Sequence, residues 1–152
     1  MKNLSRAVQS LWAKKSNVNG SLLWLPLTVH MVDTASVARK LWNQWLPDGI
    51  RQMITNGMIG EGHEEPLQLL LFLAAVHDLG KATPVFQAKQ TFPLCYELDK
   101  RIEEGATAAG LPMRPIHDFI NANKTTHALA TQVLLLHAGC HKNVAAVLGA
   151  HH

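Results

Sequence analysis

An imidazole and a carboxylate stand side by side in His77-Asp78-Leu79-Gly80-Lys81, at the C-terminal end of the most apolar stretch of the chain. Consecutive helical residues point about 100° apart, so His77 and Asp78 cannot face the same apolar neighbours. An Asp on so apolar a segment is costly unless it is paired or bound to a cation. Its chemistry suits the second option. A carboxylate has two oxygens and can bridge two metal ions, whereas the adjacent imidazole can ligate only one. Lys81, just past the glycine turn, sets an ammonium where a phosphate oxygen can meet it. The plainer alternative is a buried His-Asp hydrogen bond with Lys81 as a solvated cation at a helix end.

Histidine is the informative entry of the composition, with nine against two cysteines. His30 falls on the inward stripe of an early helix, and His127 opens a later one. His151-His152 ends the last helical pattern, with His151 on its apolar side. Each alone reads as an ordinary core or surface histidine. Around a central His-Asp they form the inventory of a binuclear metal site inside a helical bundle. His117-Asp118 serves as an internal control. It follows Pro115 in a loop-like region, has no Gly-Lys after it, and reads as structural.

The elements that must carry these residues are helical wherever periodicity can be read. Leu4, Val8, Leu11 and Trp12 form an amphipathic stripe, followed by a polar connection from Lys14 to Ser21. Leu27 to Trp45 reads as a helix with His30, Thr34, Val37, Leu41 and Trp45 facing inward. Pro47-Asp48-Gly49 is a turn, and Asn56 to Glu65 is glycine-rich. Glu64-Glu65-Pro66 opens a helix from Leu67 to about Leu79 that is apolar all round except at Gln68, which places it at the centre of a bundle with Gly80 as its stop. Thr83-Pro84 starts a short helix, and Leu94 to Glu104 forms another, closed by Gly105. Residues 106 to 123 read as an irregular connection. Thr126 caps a helix from His127 to His137, stopped by Gly139, and a last helix runs from about Lys142. No segment reads as a convincing strand. The expected fold class is all-α.

Composition narrows the function classes. A chain of 152 residues with 47% apolar and 16% charged side chains is one folded domain, since an average domain carries about 25% charged residues. Disordered, collagen-like and low-complexity readings are excluded, and so low a charge content implies that something else covers part of the surface. The net charge of +3 permits a polyanionic partner without requiring one. Cys95 and Cys140 form no Cys-x-x-Cys pair and no secreted framework, although one disulfide stays open. The N-terminus lacks a signal-peptide h-region, and the longest apolar run, Leu69 to Val76, falls short of the about 20 residues a membrane span needs. Cytoplasm is the default location.

The order His30, His77-Asp78-x-Gly80-Lys81, His127, His151-His152 resembles the HD superfamily of metal-dependent phosphohydrolases. More narrowly, it is similar to the HD nuclease domain of the CRISPR-associated nuclease-helicase of type I systems. Trp12-Ala13-Lys14-Lys15-Ser16 resembles that family's opening Trp-small-Lys-Ser element. Pro26-Leu27-x-x-His30, leading into Asp33-Thr34-Ala35-x-Val37-Ala38, resembles its first motif helix. Lys81-Ala82-Thr83-Pro84-Val85-Phe86-Gln87 is similar to its Gly-Lys-x-x-x-x-Phe-Gln continuation. The likeness runs from about Leu11 to the last residue, with 56–65 and 90–123 as unmatched filler. Two family features are missing from the chain: a further Asp ligand beyond the double histidine, and the Gly-x-x-x-x-Gly-Lys-Ser/Thr loop of the fused helicase. The resemblance therefore implies an HD-type nuclease domain over residues 1–152, incomplete at its C-terminus, without a helicase domain and with doubtful activity of its own.

The same resemblance implies a ligand set. One metal would be held by His30, His77 and Asp78 with the missing carboxylate, and a second by Asp78, His127, His151 and His152. Two ions about 3.5–4 Å apart would activate a shared water for in-line attack on a phosphodiester, with Asp78 and Lys81 as the catalytic pair and Lys81 stabilising charge on phosphate oxygens. So imidazole-rich a set suits manganese, iron, cobalt or nickel better than magnesium. The implied substrate is single-stranded DNA, exposed by an RNA-guided CRISPR surveillance complex and handled with a helicase partner, without a membrane. Of the tryptophans, Trp42 and Trp45 read as core rather than as base-stacking platforms. Two other classes compete: an HD-type cyclic-dinucleotide phosphodiesterase, which also uses a double histidine, and a non-catalytic helical docking fragment that need hold no metal. A nucleotide triphosphohydrolase fits less well, because its simpler ligand set has no use for His151-His152.

Overall fold

Asn19-Gly20 bends the chain back on itself, and the computed structural model, which describes residues 4–57, 66–91 and 95–151, shows why. Both residues adopt positive φ, 52° and 84°, the pair of left-handed conformations that a tight two-residue hairpin turn demands. Strand β1 (Trp12–Val18) therefore pairs antiparallel with β2 (Ser21–Pro26), Val18 opposite Ser21 and Lys15 opposite Trp24. This hairpin corrects the expectation of a polar connection over Lys14 to Ser21. Asn-Gly was the local signal for it, set against flanks too polar to read as strands. A register shift between Trp12 and Lys14 turns two consecutive residues, Trp12 and Ala13, into the interior.

Apart from the hairpin the described chain is mainly helical, as its periodicity requires. Helix α1 (Arg6–Ser10) is capped by Ser5 Oγ, which accepts from the Val8 amide, and ends before Trp12 rather than including it. Helix α2 (Leu27–Lys40) continues into a π-helical turn (Leu41–Trp45). The expected inward stripe fails in its second half. Val37, Leu41 and Trp45 are exposed, Trp45 by 78%, so Trp45 is not a core residue. The wider π turn rotates the register past Leu41, and Trp42 becomes the half-buried tryptophan there. An amphipathic helix α3 (Asp48–Gly57), absent from the expectations, follows.

Helix α4 (Pro66–Val76) is as apolar as the sequence announces, yet none of its residues is fully buried. It lies against α2, and an apolar groove along the seam between the two helices, lined by Met31, Ala35, Leu71, Phe72 and Ala75, stays open. The expectation of a central helix is not met among the described residues, because their packing covers only part of its circumference. A 3-10 turn (Leu79–Ala82) leads into the short helix α5 (Pro84–Gln87). Helix α6 (Tyr96–Ala108) runs through Gly105 instead of stopping there, and Gly110 at φ 86° ends it. Helix α7 (His127–His137) has the expected Thr126 cap, whose Oγ1 accepts from the Leu129 amide, and the expected stop at Gly139. Helix α8 (Lys142–Gly149) packs on α7. The expected helix starts at Glu64-Glu65 and Leu94, and part of the glycine-rich segment, lie outside the described residues.

Two apolar clusters support this arrangement. Trp12, Phe86, Cys95, Leu98 and Ile102 join the hairpin to α5 and α6, and Leu135, Ala145 and Leu148 join α7 to α8 beneath Leu73, Val76 and Leu79. Polar contacts fasten the hairpin. Gln87 behaves as a strand neighbour of Trp12. Its Oε1 accepts from the Trp12 amide at 3.1 Å, and its Nε2 donates to the Trp12 carbonyl at 3.0 Å and the Lys81 carbonyl at 2.6 Å. Lys15 forms a buried ion pair with Asp99, donates to the Lys89 carbonyl and lies over the Trp12 ring. Both cysteines are free thiols, and no helix among the described residues is long and apolar enough to cross a membrane.

Candidate metal centre

Helix ends deliver the site. His30 sits in the first turn of α2, His77 and Asp78 directly follow α4, His127 is the first residue of α7, and His151 follows α8. Two of these histidines are oriented by one device. The last turn of a helix leaves carbonyls without intrahelical partners. His77 Nδ1 lies 2.8 Å from the Ala74 carbonyl, and His151 Nδ1 lies 2.6 Å from the Leu148 carbonyl, each three residues back. A carbonyl can only accept, so both Nδ1 atoms carry a proton and both Nε2 atoms face the site, each with a lone pair when its ring is neutral. Metal-ligating histidines are commonly held this way.

Asp78, 3% exposed, is the hub. Its Oδ2 lies 2.7 Å from His30 Nε2, 3.2 Å from His77 Nε2 and 2.7 Å from Lys81 Nζ. Its Oδ1 faces His127 Nε2 at 3.1 Å and His151 Nε2 at 3.7 Å. The two oxygens thus address two different histidine pairs, and the donor atoms of each group, His30-His77-Asp78 and Asp78-His127-His151, lie within 4.8 Å of one another. Burial alone would raise the carboxyl pKa. Hydrogen bonds from Lys81 and His30, with the charges of Lys81 and His77, outweigh it and hold the group at about 2 instead of 3.8. Asp78 is therefore an anion at any physiological pH.

The donor set fits metal ions. Among the described residues, the buried Asp78 Oδ1 accepts no hydrogen bond of good geometry, although two imidazole nitrogens converge on it. Such convergence without hydrogen-bond geometry is the arrangement a cation would complete. His30, His77, Asp78, His127 and His151 are all brought together as the sequence suggested, and His152 lies outside the described residues. Lys81 is also there, but it is only 8% exposed and its ammonium rests on the carboxylate, 3.5 Å from the Ala13 carbonyl. His117-Asp118 is an exposed pair on a short turn outside the cluster.

One residue of the site was read from sequence for the wrong reason, and one was missed. Gly80 is no helix stop. A Cβ there would lie 2.0 Å from the His127 carbonyl oxygen and 2.6 Å from the Thr131 amide nitrogen, so only glycine lets the 79–82 turn lie on α7. Thr131, fully buried, accepts from the Gly80 amide. Its position four residues after His127 on the same helix face was the available signal.

Comparison with known proteins decides the family. The model of the Cas3 HD domain matches residues 12–152. The chain belongs to the Cas3 HD-domain family. Among curated relatives, the CRISPR-associated nuclease/helicase Cas3 of Streptococcus thermophilus is 38% identical over 143 residues, covering 93% of this chain and 15% of the relative. The CRISPR-associated endonuclease/helicase Cas3 of Thermus thermophilus is 33% identical over 153 residues, covering 99% of this chain and likewise 15% of the relative. The chain thus spans about one seventh of the length of these Cas3 proteins. No solved structure gives a significant match.

Proposed function

We propose that this Cas3-family HD domain is a metal-dependent nuclease that hydrolyses phosphodiester bonds of single-stranded DNA in CRISPR antiviral defence. The observation that carries the reading is Asp78, whose two oxygens each face a separate pair of imidazoles. His30, His77 and Asp78 would hold one divalent ion, and Asp78, His127, His151 and His152 the other. Four imidazoles to one carboxylate among the described ligands favour manganese, iron, cobalt or nickel over magnesium. When bound, such ions supply Lewis acidity and lower the pKa of water.

The chain's own residues do the rest. The Ala74 and Leu148 carbonyls hold the His77 and His151 rings with Nε2 forward. Asp78, ionised throughout the working range, keeps the two ligand groups in register. Lys81 neutralises part of the carboxylate charge and stands close enough to the cluster to stabilise charge on a phosphate oxygen. The names of the relatives, CRISPR-associated nuclease/helicase and endonuclease/helicase, support a helicase and a CRISPR complex as partners.

The test is cleavage of a labelled single-stranded oligonucleotide by the chelator-stripped protein, with and without Mn2+, beside Asp78→Ala. Mn2+-dependent cleavage that Asp78→Ala abolishes is expected. Cleavage that survives in chelator, or no Mn2+ binding by the wild-type chain, would overturn the reading.

A further inference from the structure

We infer that Thr131 is a positioning residue that sets the separation of the two ligand groups, and this rests on the two-ion reading above. Its side chain is fully buried one turn beyond His127. The Oγ1 atom accepts from the Gly80 amide at 2.7 Å. The same oxygen lies 2.9 Å from the His127 carbonyl and 3.1 Å from the His77 carbonyl. A hydroxyl has a single proton to donate, so the two carbonyls share it.

These carbonyls belong to the two ligand groups, His77 to one and His127 to the other. One oxygen therefore contacts the backbone at the end of α4, the turn after it and the first turn of α7. Packing at Gly80 adds a hard stop, because the turn already touches α7 backbone to backbone. Thr131 supplies the complementary attraction. Together they fix how far His77 and His127 stand apart, and hence whether the short carboxylate of Asp78 can serve both sides.

A serine at this position keeps the hydroxyl. A valine keeps the shape, but it leaves the Gly80 amide unanswered and removes the shared proton. The ligand side chains are untouched in both.

The probe is Mn2+, titrated into the chelator-stripped chain and read by electron paramagnetic resonance. The signal counts bound ions and reports spin coupling between neighbouring ones, which a loss of stability alone does not alter. Wild type and Thr131→Ser are expected to bind two ions with a coupled spectrum. Thr131→Val, shown to be folded by circular dichroism, is expected to bind the second ion at least tenfold more weakly or to give an uncoupled spectrum. Wild-type affinities and coupling in Thr131→Val would overturn the role of Thr131 while leaving the metal reading intact. Should valine fail to fold, Thr131→Ser still decides, since loss of coupling there would show that the hydroxyl is not what holds the spacing. A wild type that binds no Mn2+ would overturn both.

Discussion

One carboxylate serves four imidazoles and an ammonium, and that imbalance governs what substitutions at Asp78 do. Asp78→Asn keeps the shape but removes the anion, leaving Lys81 a buried cation without its counter-charge. Breaking a buried pair from one side costs about 3 kcal/mol, and urea unfolding of the metal-free proteins should show a loss of that order, together with abolished Mn2+ binding. The sign of its pH dependence follows from the lowered pKa. Folded Asp78 titrates at about 2, below the roughly 3.9 of an unfolded chain. Its contribution is complete above the higher value and disappears as pH falls through the lower. The stability gap between wild type and Asp78→Asn should therefore narrow between about pH 4 and pH 2, and a gap unchanged to pH 2 would refute the assignment. Lys81 leads to an opposite expectation. Its ammonium rests on the oxygen that the His30-His77 group would share with an ion, so Lys81→Met should tighten metal binding by roughly tenfold through relieved repulsion. Cleavage should fall all the same if Lys81 meets the phosphate. Calorimetric titration beside a cleavage assay separates the two effects.

At the scale of elements, what could be read from sequence depended on whether a local pattern was enough. The Thr126 cap and the Gly139 stop rest on short-range chemistry, and both stand as expected. His30, His77, Asp78, His127 and His151 were legible because their order along the chain resembles a known motif, not because periodicity aimed them at one point. Val37, Leu41 and Trp45 misled: the half-buried side of α2 runs through Met31, Thr34, Ala35 and Ala38, and a 3.6-residue period cannot foresee the π turn beyond it that half-buries Trp42 and leaves Trp45 outside. The hairpin was hidden by Lys14, Lys15, Ser16 and Asn17, too polar to read as a strand, while the contacts that fasten it, Trp12 with Gln87 and Lys15 with Asp99, join residues 75 and 84 positions apart. Gly80 was visible but given the wrong reason. Its closeness to His127 and Thr131 is a tertiary fact, and Gly80→Ala should cost about 3 kcal/mol by overpacking backbone against backbone. Metal binding should be lost with it, because the turn must lift away from α7. A crystal structure of a stable Gly80→Ala variant with the turn undisturbed would contradict this.

Across the whole molecule, the polar site lies between two apolar clusters, and that placement links metal to stability. One cluster binds the hairpin to α5 and α6 and the other binds α7 to α8. Between them run the 79–82 turn and the Asp78 hub, which reaches α2 through His30 and α7 through His127. Neither cluster is large, and large apolar side chains such as Trp45, Met53 and Val32 remain exposed. Apolar burial alone thus holds the halves together only modestly, and the ligand groups form much of the joint. An ion that binds the folded chain and not the unfolded one stabilises it in proportion to the logarithm of its saturation, about 2.7 kcal/mol at a hundred times Kd. In a chain of this length that corresponds to a rise in Tm of roughly 5–10 °C. Mn2+ at that excess should raise the wild-type Tm by this amount, and EDTA should reverse it. Asp78→Asn should show no shift, because a neutral amide offers one oxygen and an NH2 donor, and so cannot serve both the His30-His77 side and the His127-His151 side. A wild-type Tm indifferent to Mn2+, in protein shown by titration to bind it, would mean that the site forms equally well in the unfolded ensemble and does not join the two halves.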